Sequence, residues 1–195
     1  MHMSKWVLWL VVFVFAVSIG MMIVKNVFDD AKDLTLVSKG HSDYSIYVAA
    51  NAPNSVKLGA RELQQTVETA TGVKLAITNV PVTPMICIGD NDASRQAGYS
   101  SESLAEETFV IAVKKGNVYI VGKDVLRTSD DGASCGSLYG VYEFLERFLD
   151  ARWLMPGKVG EDIPKHDVIT MPIGTIRGGT VERQSGIRVS PGNRK

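Results

Sequence analysis

The run Gly132-Ala133-Ser134-Cys135-Gly136 matches G-x-S-x-G, the arrangement that lifts a serine hydroxyl onto a sharp strand-to-helix turn. Asp162 and His166 follow it, giving the chain order serine, acid, base used by acyl hydrolases. Nucleophilic catalysis would need the Ser134 hydroxyl within reach of the His166 ring. However, the polar stretch Arg127-Thr128-Ser129-Asp130-Asp131 separates the match from the preceding apolar run. A nucleophile elbow has no such loop. The plainer role is a helix N-terminus capped by Asp131 or Ser134, with Gly136 and Gly140 allowing close backbone packing.

Asp90-Asn91-Asp92 directly follows another apolar run, at a strand end of the kind where α/β ligand sites lie. Two carboxylates and an amide could hold a cation, yet no EF-hand spacing continues from them, and a turn with a helix cap uses the same residues. Glu161 and Asp162 offer the two carboxyls of a glycosidase. Glycosidic hydrolysis needs them opposed across one bond, whereas neighbours on a strand point to opposite faces. His2, His41 and His166 belong to no H-E-x-x-H or other ligand cluster, so no metal or cofactor is expected. Cys87 sits in an apolar run as a small buried hydrophobe. A Cys87–Cys135 disulfide could form after export, but spacing alone does not establish it. Tyr139, Tyr142, Trp153 and Pro156 offer surfaces suited either to sugar stacking or to a core.

The elements that must position these groups follow from periodicity. Ser45–Ala49 alternates as a short strand. Val56, Ala60, Leu63, Val67 and Ala70 form one stripe of a helix capped by Asn54 or Ser55 and closed by Gly72. Val73–Thr78 completes a parallel β-α-β unit. Met85–Ile88 reads as a buried strand, and Phe109–Val113 and Val118–Val121 flank Lys115-Gly116-Asn117 as a hairpin. Ser134–Leu149 is a second helix, with Leu138, Val141, Tyr142, Leu145, Phe148 and Leu149 on its apolar face. A last strand is expected over Val168–Met171.

Twenty-one basic and 21 acidic residues cancel, which removes the electrostatic footprint of a nucleic-acid binder. At 195 residues and 45% hydrophobic composition, the chain holds one ordinary domain with an appendage. The appendage is Trp6–Val24, nineteen residues without a charge between Lys5 and Lys25. As a helix it would cover about 28 Å, close to the hydrocarbon thickness of a bilayer. Ala16 and Ser18 are spaced like a signal-peptide cleavage site, but apolar residues continue from Ile19 to Val24, and that continuity favours an uncleaved anchor. The rest of the chain is then exported: membrane-anchored on the extracytoplasmic side, or secreted or periplasmic if the leader is cut. Residues 174–195 hold five Gly and five Lys or Arg with almost no periodicity and read as a disordered tail.

Three segments go beyond pattern: Ser137-Leu138-Tyr139-Gly140-Val141-Tyr142-Glu143-Phe144-Leu145-Glu146, then Ala151-Arg152-Trp153-Leu154-Met155-Pro156-Gly157, then Gly160-Glu161-Asp162-Ile163-Pro164. Upstream lie Ala60-Arg61-Glu62-Leu63, Ala70-Thr71-Gly72, Ile86-Cys87-Ile88-Gly89 and Glu107-Thr108-Phe109-Val110-Ile111. In this order they resemble the N-terminal accessory domain of bacterial alpha-glucuronidase-like glycoside hydrolases, which is similar to the second domain of beta-N-acetylhexosaminidases. One departure is Asp150, where that family usually has Gly between helix and Arg-Trp, which questions the helix C-cap. The resemblance implies an α+β two-layer sandwich, a mixed β-sheet with two main helices on one face, here preceded by an N-terminal hydrophobic helix. The expected organisation is a leader or anchor at 1–25, a linker at 26–42, the domain at 43–173 and the tail at 174–195. In the enzymes the catalytic carboxylates belong to a following (β/α)₈ barrel of about 250 residues, so no catalytic residue transfers to this chain. The expectation is a non-catalytic accessory domain associated with carbohydrate processing, whose partners are a carbohydrate or a catalytic barrel. The alternative is an independent sugar-binding or cell-surface module contacting its ligand through the loop of Trp153, Pro156, Gly157 and Glu161, with a serine hydrolase at Ser134 as the third reading.

Overall fold

The computed structural model describes residues 33–125, 134–155 and 157–179. The expected membrane segment Trp6–Val24, residues 126–133, Pro156 and residues 180–195 lie outside the described residues. In chain order the elements are β1 (Asp33–Ser38), β2 (Ser45–Val48), α1 (Asn54–Thr71), β3 (Ala76–Thr78), β4 (Met85–Ile88), α2 (Asp92–Gln96), β5 (Phe109–Lys114) and β6 (Asn117–Gly122). They continue as β7 (Asp124–Val125), β8 (Ser134–Cys135), α3 (Gly136–Leu149), β9 (Arg152–Trp153), β10 (Glu161–Asp162), β11 (Val168–Pro172) and β12 (Thr175–Gly178).

Six strands make one mixed sheet in the order β12-β5-β6-β4-β2-β3. β3, β2, β4 and β6 run parallel, while β5 and β12 are antiparallel additions. Its strands alternate between two buried faces. Ile46, Val48, Ile86, Ile88, Phe109, Ile111, Val118 and Ile120 pack under α1 and α3. Tyr47, Met85, Cys87 and Tyr119 form a second cluster on the opposite face. Strands buried on both sides read as unbroken apolar runs, which is why Met85–Ile88 shows no alternation of polarity.

The fold class expected from sequence therefore holds as α+β with two main helices on one face, with one addition. The other face is covered in part by α2 and the loop after it, through Ala93, Ala97 and Tyr99, the last tilted against Tyr119 at 5.5 Å. Six strands were not anticipated, and β1 and β12 are the two of them longer than two residues. β1 lies inside the expected linker, pairs with β11 and buries Leu36 and Val37 in the main core. β12 lies inside the expected tail, and its Thr175 and Gly178 register with Ala112 and Phe109 of β5. β1 buries its apolar residues in a short stretch, and the glycines and arginines around β12 hide its alternation, so neither leaves a periodic trace long enough to read.

The helix ends also depart from expectation. α1 starts without a side-chain cap; the Pro53 carbonyl takes the Lys57 N–H at 3.1 Å instead of Asn54 or Ser55 acting. Gly72 closes α1 in the left-handed region at φ 77°, as its type predicts. The strand expected over Val73–Thr78 shortens to β3, because Leu75 turns into the core and its carbonyl binds the Gln64 amide at 2.6 Å. α3 begins at Gly136, and Ser134-Cys135 is instead paired with β7.

Candidate functional site

The parallel strands β2, β4 and β6 finish side by side, with Val48 opposite Ile88 and Ile88 opposite Ile120. Ligand sites of open α/β sheets lie beyond such carboxyl ends. Here a cavity of about 230 Å³ opens, and Gly89, Asp90, Arg95, Ser101, Gly122 and Asp124 are among its lining residues. That volume is below the ~300 Å³ at which small-molecule sites begin, so the cavity admits at most one small polar ring.

Asp90 enters this cavity from the turn after β4. One carboxylate oxygen accepts Arg95 Nε at 2.7 Å; the other accepts the Ser101 N–H at 2.9 Å and its hydroxyl at 2.5 Å. Partial burial pushes this carboxyl up, but the bonds from Ser101 and the charge of Arg95 outweigh it and hold Asp90 below the usual carboxylate range. Asn91 caps α2 through a capping box, accepting the Ser94 N–H at 3.1 Å while Ser94 Oγ accepts the Asn91 N–H at 3.0 Å. Asp92 is almost fully exposed and lies 3.7 Å from Arg95. The triplet is thus a turn and helix cap, and no group of metal-ligating side chains occurs among the described residues.

Asp124 was not singled out in the sequence. It follows β6 and accepts the Ser137 N–H at 3.1 Å, so it caps α3 from outside the helix; the helix's own Cys135 makes no side-chain cap. Burial raises its carboxyl above the usual range, the Ser137 bonds offset this in part, and the nearby charge of Asp90 adds to the rise. No local signal in the sequence marks this role, since the capped Ser137 lies thirteen residues on. Two carboxylates shifted in opposite directions on one cavity can accept hydroxyl hydrogen bonds. Each is also already committed to holding the fold.

Ser134 is buried. Its hydroxyl donates to the Lys123 carbonyl at 2.5 Å and accepts the Glu107 N–H at 2.9 Å. His166 bonds the Leu149 carbonyl at 2.9 Å, at the far end of α3. Fourteen helical residues separate the two ends, about 21 Å at 1.5 Å per residue. The Ser134–His166 pairing that hydrolysis requires therefore does not form. Cys87 faces the cluster on the side of the sheet away from α3, whereas Cys135 immediately precedes α3 on the other side. The thiols are separated by the sheet, and burial pushes Cys87 up to about 11.

Trp153, Gly157 and Glu161 occupy the β9–β10 hairpin, with Glu161 opposite Trp153. The Trp153 ring is half-buried and meets Tyr142 edge-on at 5.2 Å, while Gly157 turns the chain at φ 88°. Glu161 and Asp162 are both exposed, and their neighbouring positions on β10 direct them to opposite faces rather than across a shared cleft.

No protein-family model matches the chain, and no curated protein matches it. Among solved structures it is similar to a family GH115 4-O-methyl-alpha-glucuronidase with specificity for decorated arabinogalactans, at 18% identity and a TM-score of 0.48, covering 74% of this chain and 18% of that one. It is also similar to a GH20 beta-N-acetylhexosaminidase from Streptomyces coelicolor, at 14% identity and 0.46, covering 75% and 24%. A third is a mutant Streptomyces plicatus beta-hexosaminidase in complex with product, at 13% and 0.45, covering 74% and 23%. The chain thus spans less than a quarter of the length of each of these proteins.

Proposed function

We propose that this chain is a non-catalytic accessory domain of the alpha-glucuronidase type, associated with carbohydrate processing, exported, and held at a membrane by residues 6–24. The observation carrying this reading is that the resembling segments form one packing unit. Ser137–Glu146 lies in α3, β9 and β10 form the hairpin that follows it, and Trp153 of that hairpin packs edge-on against Tyr142 in the middle of α3. The uncharged stretch between Lys5 and Lys25 supports export, and its continuity past Ser18 supports retention as an anchor. The partner is a carbohydrate or a separate catalytic barrel.

A lack of chemistry of its own fits the groups present: Asp90 and Asp124 are spent on holding a loop and a helix, and Ser134 and His166 stand at opposite ends of α3. The full chain in detergent should turn over no aryl glycosides, aryl glucuronides or glucuronoxylan oligomers. Reproducible hydrolysis lost on Glu161→Gln would overturn the non-catalytic reading. The polar cavity favours one second reading, a module binding a single sugar ring through Asp90, Asp124 and Arg95. Calorimetry with monosaccharides in the same preparation separates the two, since only the second expects heat of binding that is lost on Arg95→Ala.

A further inference from the structure

The polar cavity has a neighbour. Pro53 and Asp124 line it, and both also line a second cleft of about 390 Å³. The topology brings the two together. α1 starts at the carboxyl end of β4, where a Cβ on Gly89 would lie 3.0 Å from Val56. α3 starts at the carboxyl end of β6, where the Gly122 N–H donates to Ser137 Oγ at 2.9 Å. Both helices therefore begin at the end of the sheet where the polar cavity opens. The second cleft lies between the N-terminal parts of α1 and α3 and the β7–β8 ladder.

The two clefts differ in character. Asp90, Arg95 and Ser101 give the first a polar wall, whereas Leu58, Val125 and Leu138 give the second an apolar one. Leu58 and Leu138 are only partly buried, so apolar surface faces water within a concave site. The helix spacing produces that shape. A Cβ on Gly59 would lie 3.2 Å from Val141 and 3.5 Å from Leu138, so the bare glycine lets α3 bring Leu138 up beside Leu58. Asn54, Leu58 and Arg61 recur at i, i+4 and i+7 and share the face of α1 that borders the cleft. Arg61 is exposed and makes no hydrogen bond or ion pair among the described residues. A guanidinium without a carboxylate partner, beside an apolar floor, is suited to lie flat on an aromatic ring through stacking and cation–π attraction.

We infer that the two clefts form one bipartite site, which binds a glycoside with an aromatic aglycone and does not cleave it. The sugar ring enters between Asp90, Arg95 and Ser101, and the aglycone lies on Leu58 and Leu138 beside Arg61. Asp124 stands at the boundary as an acceptor for a sugar hydroxyl. This rests on the sugar-ring reading of the polar cavity above, and it removes that reading's difficulty of size. The polar cavity alone is smaller than ordinary small-molecule sites, whereas the second cleft falls within their range of about 300–1,000 Å³.

The test titrates the full chain, in a detergent without a sugar headgroup, with the methyl and phenyl glycosides of glucose, galactose, N-acetylglucosamine and glucuronic acid, read by calorimetry. For at least one sugar the phenyl compound should bind about tenfold more tightly than the methyl one. Leu138→Gln should reduce that advantage to about twofold and leave methyl glycoside binding unchanged. Arg61→Ala, at an exposed position, should reduce it about threefold and serves if Leu138→Gln unfolds. Arg95→Ala should abolish binding of both compounds. Equal affinities for the methyl and phenyl compounds overturn the bipartite site while leaving the sugar-ring reading standing. A phenyl advantage unchanged in the Leu138 and Arg61 variants reports partition into detergent and also overturns it. Phenyl binding that survives Arg95→Ala assigns the ligand to the apolar cleft alone and overturns both readings. Silence of every glycoside removes the sugar-ring reading and the bipartite site with it.

Discussion

At the scale of single residues, the polar groups that looked most chemical in the sequence are those the fold spends on its own ends and turns. Asp150 is the sharpest case. It closes α3 in the left-handed region at φ 53°, where the resemblance expects Gly, and its carboxylate stands at the negative end of the helix. Asp150→Gly should therefore stabilise the protein by about 1 kcal/mol, read as a rise of roughly 2–4 °C in thermal unfolding. Asp90 gives a pH dependence of definite sign. Its folded pKa is held low, so its contribution is present above the ordinary carboxylate range and is lost as pH falls through the lowered value. Asp90→Asn should flatten that acid-side loss in denaturation curves and lower stability near neutrality by about 1–2 kcal/mol, because Arg95 and Ser101 lose a charged acceptor. A variant that kept the full acid slope would show that other carboxylates carry it. The strand-end position of Asp90 was legible in the sequence; the role of Asp124 was not, since its partner Ser137 lies thirteen residues on.

At the scale of elements, the joint between α3 and β6 sets the close approach on which both the cavity and the helix cap depend. A Cβ on Gly122 would fall 2.0 Å from the Gly136 carbonyl carbon and 2.1 Å from the Ser137 nitrogen. Backbone cannot yield as a side-chain tip can, so Gly122→Ala must push α3 away and break the Gly122 N–H bond to Ser137 Oγ. The expected cost is about 3 kcal/mol or more, seen as a lower urea midpoint, and Gly140→Ala, whose Cβ meets the Ile120 side chain at 2.8 Å, should cost less. Equal costs would show that the two contacts relax alike. Helices α1 and α3 and the β5–β6 hairpin were readable because each carries its full period over many residues. The two-residue strands β7, β8, β9 and β10 were not, being shorter than any period they could display.

At the scale of the whole molecule, the domain begins before its recognisable motifs. Leu36 and Val37 are 4 and 1% exposed within the main core, so a chain starting at residue 43 forfeits roughly 4 kcal/mol of apolar burial as well as the β1–β11 pairing. Such a truncation should aggregate or unfold, whereas a chain starting at residue 33 should give a cooperative transition; matching thermal curves for the two would place β1 outside the folding unit. The sequence alone determined the two amphipathic helices and the central hairpin, because burial imprints a local period on the residues that undergo it, while the α+β class was an expectation from the resemblance. Only the tertiary structure decided that Ser134 and His166 stand apart, that Asp90 and Asp124 share a cavity, and that β1 and β12 complete the fold. Those facts depend on meetings between residues distant along the chain, and no local pattern records where a closed loop brings its ends together.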